Sequence, residues 1–347
     1  MKFNKLPYLI SKEILSHLPV ADLLIFSQCS KKHMSYIRNL LKHELPKIGP
    51  LRIYFNDREN SWEMGGCSNA HIKMKPSSMI GDRTVCKLRL FELELSYCPA
   101  TDHKPMIVFG EEEHGEYLLQ FFHNSIYTLF GPLMEYHLYV KRTHRVPKLQ
   151  HITKSFFFSW HTKELERTSK DFLLLSPNME YIFLAQMKSC DFLNIPRMSQ
   201  IPELEIGLFH GNIGELLRTF AGKKLRVRSV EDDQLDVVEF LSAWKSKNAY
   251  GNIDELKVKC DSTLFNVDEI MDRCDVKQLD SDKFPTKLEY QLSDAGGSDK
   301  ESFKSHHYVV RESDGRVASL KITPDCFHFE VWHWTEEQFL EEHLKEK

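Results

Sequence analysis

Apolar residues recur at helical spacing in the first 45 residues of the chain, in three short segments. The first segment places apolar side chains on one face of a helix, at Leu9, Ile10, Ile14, Leu15 and Leu18. Pro19 ends this helix, because the residue before a proline avoids helical backbone. A second short helix is predicted after Asp22, and Ser30 can cap a third by accepting a backbone hydrogen bond.

The pattern changes after about residue 50, where alternation of apolar and polar residues replaces helical spacing. Strands are predicted at 51–55, 85–97, 136–140 and 156–160. A helix is predicted over 116–130, with Leu118, Leu119, Phe122, Ile126 and Leu129 on one side and Gly131 after its end. Residues 56–84 are polar and contain several glycines, which indicates an irregular loop.

A strand followed by a helix is the recurring unit between about residues 170 and 285. Short strands are predicted at 182–184, 204–206, 225–227, 256–258 and 276–279. Helices are predicted between or after the later strands, at 213–220, 235–244 and 267–274. The repeat length is irregular and the asparagine typical of leucine-rich repeats is missing. Degenerate leucine-rich-repeat units and an ordinary mixed α/β domain therefore both remain open.

The C-terminal part predicts a β-hairpin at about 305–334. Strands at 308–311 and 316–320 flank Ser313-Asp314-Gly315, a sequence typical of tight turns. Phe327, Phe329 and Val331 continue the alternation as a third strand. The fold class expected for the whole chain is α+β: a three-helix N-terminal module, a mixed α/β region with repeat-like units, and the C-terminal hairpin.

Composition narrows the choice of partners. The 347 residues are 41% apolar and carry a net charge of −4, which does not favour nucleic-acid or membrane binding. The first 24 residues contain no long apolar run, so neither a signal peptide nor a spanning helix is expected. Eight cysteines without any Cys-x-x-Cys pair indicate reduced thiols and a cytoplasmic or nuclear location.

The N-terminal segment resembles an F-box. The residues that carry the resemblance are Leu6-Pro7, Leu9, Ile14-Leu15, Leu18-Pro19, Asp22-Leu23-Leu24, Ser27, Cys29 and Ser30-Lys31-Lys32. The resemblance implies an F-box at residues 1–45 that binds a Skp-type linker protein and, through the linker, a cullin. It assigns the linker contact or its support to Leu6, Pro7, Leu9, Ile14, Leu15, Leu18, Pro19, Leu23 and Leu24.

The rest of the chain, residues 46–347, is expected to recognise a substrate. The part at about 200–285 is similar to the F-box-associated region, type 2, of the large F-box family expanded in nematodes. The residues that carry this similarity are Leu216-Leu217 to Phe220, Lys224 to Val227, Val238 to Trp244 and Ile253 to Val258, and the later segments Arg311 to Ala318 and Phe329 to Trp332 also resemble that group. This resemblance implies a non-catalytic substrate adaptor of an SCF-type cullin-RING E3 ubiquitin ligase. The alternative is an enzyme or nucleic-acid-binding α/β protein whose N-terminal helices are purely structural.

Candidate chemistry is sparse. The chain contains no phosphate loop and no Gly-x-Ser-x-Gly motif, and its paired histidines lack the cysteine or acidic ligands of a metal site, so no cofactor, metal or catalytic residue is predicted. Basic residues alternate with apolar ones on two predicted strands, at Lys224, Arg226, Arg228, Lys257 and Lys259. This basic stripe is a candidate surface for an acidic or phosphorylated protein segment, and an ordinary solvated strand face is the alternative.

Overall fold

The computed structural model has an α+β fold, as the sequence predicts. It describes residues 6–18, 23, 26–27, 30–41, 49–56, 61–65, 71–76, 86–90, 93–98, 106–109, 112–141, 146–158, 172–195, 197–229, 235–261, 265–279 and 305–345. The chain divides into two compact units, Met1–Ala185 and Gln186–Lys347. The boundary expected near residue 45 separates a functional module and stays a prediction.

Two helices lie in the described part of the N-terminal module. Helix α1 spans Tyr8–His17 and starts directly after Pro7, while helix α2 spans Lys31–Leu41. The hydroxyl of Ser30 accepts a hydrogen bond of 3.1 Å from the backbone N–H of His33, which confirms the predicted cap. Between the two helices Leu23, Phe26 and Ser27 are helical, and the remainder of the predicted second helix lies outside the described residues.

A mixed sheet forms the body of the first unit. Its strands are β1 (Leu51–Asn56), β2 (Ser61–Gly65), β3 (His71–Pro76), β4 (Cys86–Leu90), β5 (Leu93–Cys98), β6 (Met106–Phe109), β7 (Tyr136–Lys141), β8 (Lys154–Phe157) and β9 (Tyr181–Leu184). The spatial order is β9-β8-β7-β1-β2-β3-β6-β5-β4, and the first four are mutually parallel. Helix α3 (Glu112–Phe130) contacts β3 and β6, and its predicted apolar side is buried.

The expectation of an irregular loop over residues 56–84 is wrong in part, because β2 and β3 lie inside it. Both strands are short and flanked by glycine or polar residues, so each offers only two or three alternating positions. Trp62 and Met64 on β2 and Met74 on β3 are nevertheless buried. Antiparallel pairing of β2 with β1 and with β3 supplies the long-range partners that the local pattern cannot reveal.

The second unit contains a mixed sheet with helices between its parallel strands. The strands are β10 (Glu203–Phe209), β11 (Lys224–Ser229), β12 (Glu255–Cys260), β13 (Lys277–Gln278), β14 (His307–Val310), β15 (Arg316–Thr323) and β16 (Cys326–Thr335). The helices are α4 (Ile213–Thr219), α5 (Val237–Lys245), α6 (Val267–Arg273) and α7 (Glu336–Lys345). The order is β13-β14-β15-β16-β12-β11-β10. Strands β10, β11 and β12 are parallel neighbours, which confirms the predicted strand-helix alternation.

The predicted C-terminal hairpin is confirmed. Strands β14 and β15 pair antiparallel, and Gly315 adopts a φ of +69° at the end of their turn, where a residue without Cβ is favoured. Strand β16 pairs with β15 as the third strand and with β12 on its other side. The C-terminal strands thereby join the parallel strands in one sheet of the second unit.

One face of this sheet forms the core of the second unit. Its buried side chains are Leu204, Ile206, Leu225, Val227, Leu256, Val258, Phe327 and Phe329. Helix α5 covers them with Phe240 and Trp244, whose rings meet the ring of Phe329 edge-on at 5.2 Å and 5.0 Å. Alternate residues of the same strands therefore point to the opposite face, which is polar.

Candidate functional site

Helix α1 exposes several large apolar side chains to solvent. Leu9 is 75% exposed, Tyr8 58%, Ile10 49% and Ile14 39%. Only Ser11 and Leu15 of this helix are buried. The apolar residues at 9, 10, 14, 15 and 18 thus do not form one buried face, and most of them remain available to a partner.

The remaining predicted linker residues fall into three groups. Leu15 and Leu23 are fully buried and support the module from inside. Leu6 and Leu18 are half-buried, and Pro7 is exposed at the start of α1. Pro19 and Leu24 lie outside the described residues. Tyr8 and Ile10 belong to the exposed set but were not among the predicted contact residues, although three consecutive apolar residues at 8–10 exceed what one helix face can bury.

The five residues of the basic stripe come together, as their alternation predicts. Strands β11 and β12 are adjacent and parallel, with Arg226 opposite Lys257 and Arg228 opposite Lys259. Leu225, Val227, Leu256 and Val258 are buried on the other face of the sheet, so the basic side chains share the polar face.

Carboxylates compensate much of this positive charge. Arg226 donates two hydrogen bonds of 2.7 Å to Glu255, in a bidentate pair of which the two side chains are 17% and 4% exposed. Lys224 lies 3.0 Å from Glu203, and Arg228 lies 2.9 Å from Asp261. The stripe is therefore part of a mixed-charge face and not a purely positive surface. Whether it binds a substrate stays a prediction.

Two buried carboxylates on this face have pKa values that are shifted in opposite directions. Burial by itself would raise the pKa of Glu255, but interactions with His328 and Arg226 outweigh it and lower the pKa to about 2. Arg226 supplies the short hydrogen bonds, since His328 Nε2 lies 3.7 Å from Glu255 and burial lowers the pKa of this histidine. Glu330 lies directly opposite Glu255 on the neighbouring strand β16, and burial together with the charge of Glu255 raises its pKa to about 7.

Three further observations concern metal ligands, helices and thiols in the part of the chain that the structure describes. No cluster of three or more His, Cys, Asp and Glu side chains there has the arrangement of a metal site. Within the same residues, no helix combines the length and apolarity needed to cross a membrane. Cys190, Cys260 and Cys274 are buried as thiols, and burial raises the pKa of Cys190 to about 12, so it is a poor nucleophile.

A cluster of exposed apolar side chains such as that on α1 is typical of a surface that binds another protein. A family model described as "F-box domain" matches residues 3–44. The chain thus carries an F-box domain at residues 3–44. F-box domains bind Skp-type linkers in SCF complexes, and this domain supports a general role as a substrate-recognition adaptor. No curated protein matches the chain, and no solved structure matches it.

Proposed function

We propose that this protein is a non-catalytic adaptor of an SCF-type cullin-RING ubiquitin ligase. The F-box binds a Skp-type linker and, through it, a cullin, while residues 46–347 hold a target protein near the ubiquitin-transferring enzyme. Such an adaptor accelerates transfer by raising the effective concentration of the target lysine, so it requires no catalytic residue of its own. We place the reaction in the cytoplasm or the nucleus, where free thiols such as the buried Cys190, Cys260 and Cys274 are common.

The observation that carries the proposal is the exposed apolar surface of α1 within the F-box. Tyr8, Leu9, Ile10 and Ile14 are four of the exposed large apolar side chains among the described residues, and all lie within two turns of one helix. Burying such a surface on a partner removes it from water and stabilises the complex by about 25 cal/mol for each Å² of apolar area. The linker contact is thus proposed to centre on Leu9, with Pro7 and Ile14 beside it.

The test replaces Leu9 with aspartate in the full-length chain. Leu9→Asp puts a charge where the linker is expected to bury a leucine, so co-purification of the Skp-type linker and the cullin should fall at least about tenfold. Leu174→Asp is a matched control, because Leu174 is 57% exposed and lies outside the F-box. Both variants should keep the thermal stability of the wild type.

Undiminished linker binding by the Leu9→Asp variant would show that Leu9 of α1 is not part of the interface. Failure of the wild-type chain to bind any Skp-type linker would overturn the adaptor function itself. The alternative function, as an enzyme or nucleic-acid-binding protein, would then be favoured.

We further propose that residues 200–285 form an F-box-associated region of type 2 with repeat-like units. The parallel neighbours β10, β11 and β12, separated by helices α4 and α5, support this organisation. Within the basic stripe, Arg228 (53% exposed) and Lys259 are the side chains best placed to contact a target protein. Arg226 forms an ion pair with Glu255 and contributes instead to the stability of the polar sheet face.

A further inference from the structure

Two carboxylates face each other between strands β12 and β16 of the second unit. Glu255 on β12 is directly opposite Glu330 on β16 in an antiparallel pair. Both side chains belong to the polar face, because their chain neighbours Leu256 and Phe329 are buried on the other face. Directly opposite residues have Cβ atoms about 4.5–5.5 Å apart, and like charges at such positions repel. We call Glu255 and Glu330 the carboxyl pair.

The cations near the carboxyl pair are bonded to other carboxylates than Glu330. Arg226 donates two hydrogen bonds to Glu255, whose side chain is 4% exposed. Lys224, the second cation that acts on Glu330, lies 3.0 Å from Glu203. The carboxylate of Glu330 is half-buried and forms no hydrogen bond or ion pair with any residue that the structure describes. One member of the pair thus has a counter-charge in direct contact and the other has none among those residues.

The neighbours of Glu330 on β15 and β16 are uncharged near pH 7. Ser319 on β15 is directly opposite Glu330, and its hydroxyl accepts a hydrogen bond of 2.8 Å from Nε1 of Trp332. His328 lies two positions before Glu330 on the same face of β16. Burial lowers the pKa of His328 below its usual 6.5, so the imidazole is neutral at pH 7.

The charged side chains of the remaining neighbouring positions do not bond to Glu330. Lys257 on β12 and Lys321 on β15 lie opposite the residue two positions before Glu330. Glu336, at the start of α7, lies 2.8 Å from Lys277. Among the described residues, the charge directly opposite Glu330 is therefore that of another carboxylate.

This arrangement favours one negative charge and one proton on the carboxyl pair. Arg226 keeps Glu255 ionised, so a second charge on the half-buried Glu330 is disfavoured. Burial and the charge of Glu255 raise the pKa of Glu330 from 4.5 to about 7, although Lys224 and Arg226 act in the opposite direction. The folded protein thus keeps a proton that the unfolded chain has lost, and its stability falls as the pH rises from 4.5 to 7.

We propose that the carboxyl pair is a pH-sensitive switch that controls how firmly β16 pairs with β12. When Glu330 is protonated, the pair carries a single charge and the two strands pair firmly. When Glu330 releases its proton to solvent, repulsion between the two carboxylates weakens the pairing. Strands β12 and β16 join the parallel strands to the C-terminal hairpin, so the switch acts on the attachment of the hairpin. It is independent of linker binding and of the proposed adaptor function.

The test compares Glu330→Gln with the wild type as purified full-length chains. Gln keeps the shape of Glu and is neutral at every pH, so it removes the repulsion without creating a cavity. From pH 5 to pH 8, the melting temperature of the variant should rise by at least about 3 °C relative to that of the wild type. Glu312→Gln, at an exposed position of the same unit, makes the same change in charge, and its difference from the wild type should stay within about 1 °C over this range.

Amide hydrogen exchange locates the effect within the sheet. Between pH 6 and pH 8, after correction for the intrinsic pH dependence of exchange, the protection of β12 and β16 should fall at least about fivefold more in the wild type than in the Glu330→Gln variant. Strand β10 is not paired with β16 and serves as the internal reference. Its protection should change equally in the two proteins.

A titration of the wild type keeps the proposal testable if the Glu330→Gln variant does not fold. In NMR spectra of the chain labelled with ¹³C at the glutamate carboxyl carbons, one resonance should titrate near pH 7. Glu255→Gln should move this titration to lower pH, because it removes the opposing charge. The proposal is overturned if no glutamate titrates above about pH 6, if the difference in melting temperature is the same at pH 5 and pH 8, or if the protection of β12 and β16 changes equally in the wild type and the variant.

Discussion

The guanidinium of Arg226 bonds diagonally to Glu255, although its direct neighbour in the strand register is Lys257. The diagonal pair satisfies a carboxylate that is only 4% exposed. A buried ion pair contributes little relative to apolar residues, but removing one member leaves the other charge uncompensated. The pair therefore determines how well the polar face tolerates substitution.

Removing the positive charge of Arg226 should be costly. Arg226→Met is expected to lower the free energy of unfolding by about 3 kcal/mol at pH 7, because Glu255 then remains buried and ionised without its partner. Arg228→Met serves as the control, and its exposed pair with Asp261 should contribute less than about 1 kcal/mol. Urea denaturation of both variants measures the difference.

The pH dependence gives an independent check on the same residue. The pKa of Glu255 is lowered from 4.5 to about 2, so its ionised form contributes stability above pH 4.5 that is lost as the pH falls towards 2. The Arg226→Met variant lacks the part of this contribution that Arg226 supplies, so its deficit in the free energy of unfolding should shrink between pH 5 and pH 2. A deficit that stays constant over this range would contradict the assigned role.

At the scale of elements, three helices of the second unit begin in the same way. Each starts with an Asn or Asp whose side chain accepts a hydrogen bond from the backbone N–H of a glutamate three residues later. The pairs are Asn212 with Glu215 at 2.7 Å, Asp236 with Glu239 at 2.8 Å, and Asn266 with Glu269 at 3.3 Å. This cap follows each of the three parallel strands β10, β11 and β12. It therefore identifies a recurring strand-helix unit, although the loops between strand and helix differ in length.

Loss of these caps should destabilise the helices by graded amounts. Asn212→Ala and Asp236→Ala are each expected to lower the free energy of unfolding by about 1 kcal/mol, since an orphan N–H loses its acceptor. Asn266→Ala should cost less, because its hydrogen bond is longer. Asn248→Ala, at an exposed residue after α5, is the control and should stay within about 0.5 kcal/mol of the wild type. Equal effects at all four positions would contradict a capping role.

At the scale of the whole molecule, the F-box packs against other elements of the first unit. Helix α2 contacts α3 in the same compact unit, and Ile37 of α2 is fully buried. Deleting residues 1–45 would therefore expose apolar surface in the rest of the first unit. A point substitution on α1 separates linker binding from target binding more cleanly.

The full-length Leu9→Asp variant should trap targets. It keeps the target-binding surfaces but loses the ligase, so mass spectrometry of affinity-purified complexes should recover targets that the wild type passes on for degradation. Adding Arg228→Glu and Lys259→Glu tests the basic stripe at its exposed residues without disturbing Arg226. Loss of part of the target set would support the stripe as a binding surface, whereas an unchanged set would contradict it.

Local patterns in the sequence determined the elements and several of their relations. Helical spacing predicted α1 and α3, alternation predicted β11 and β12 with their basic residues on one face, and Asp314-Gly315 predicted the hairpin. These features depend on residues within one or two turns or along one strand, where side-chain direction follows directly from backbone geometry.

Only the tertiary structure decided which side chains are available and which partners they have. Leu9 and Leu15 are the same residue type six positions apart, yet one is 75% exposed and the other fully buried. The buried ion pair of Arg226 with Glu255 joins residues 29 positions apart, which are brought together by the pairing of β11 with β12. Exposure and convergence depend on long-range packing and strand register, and the sequence encodes these only through contacts between residues that are distant along the chain.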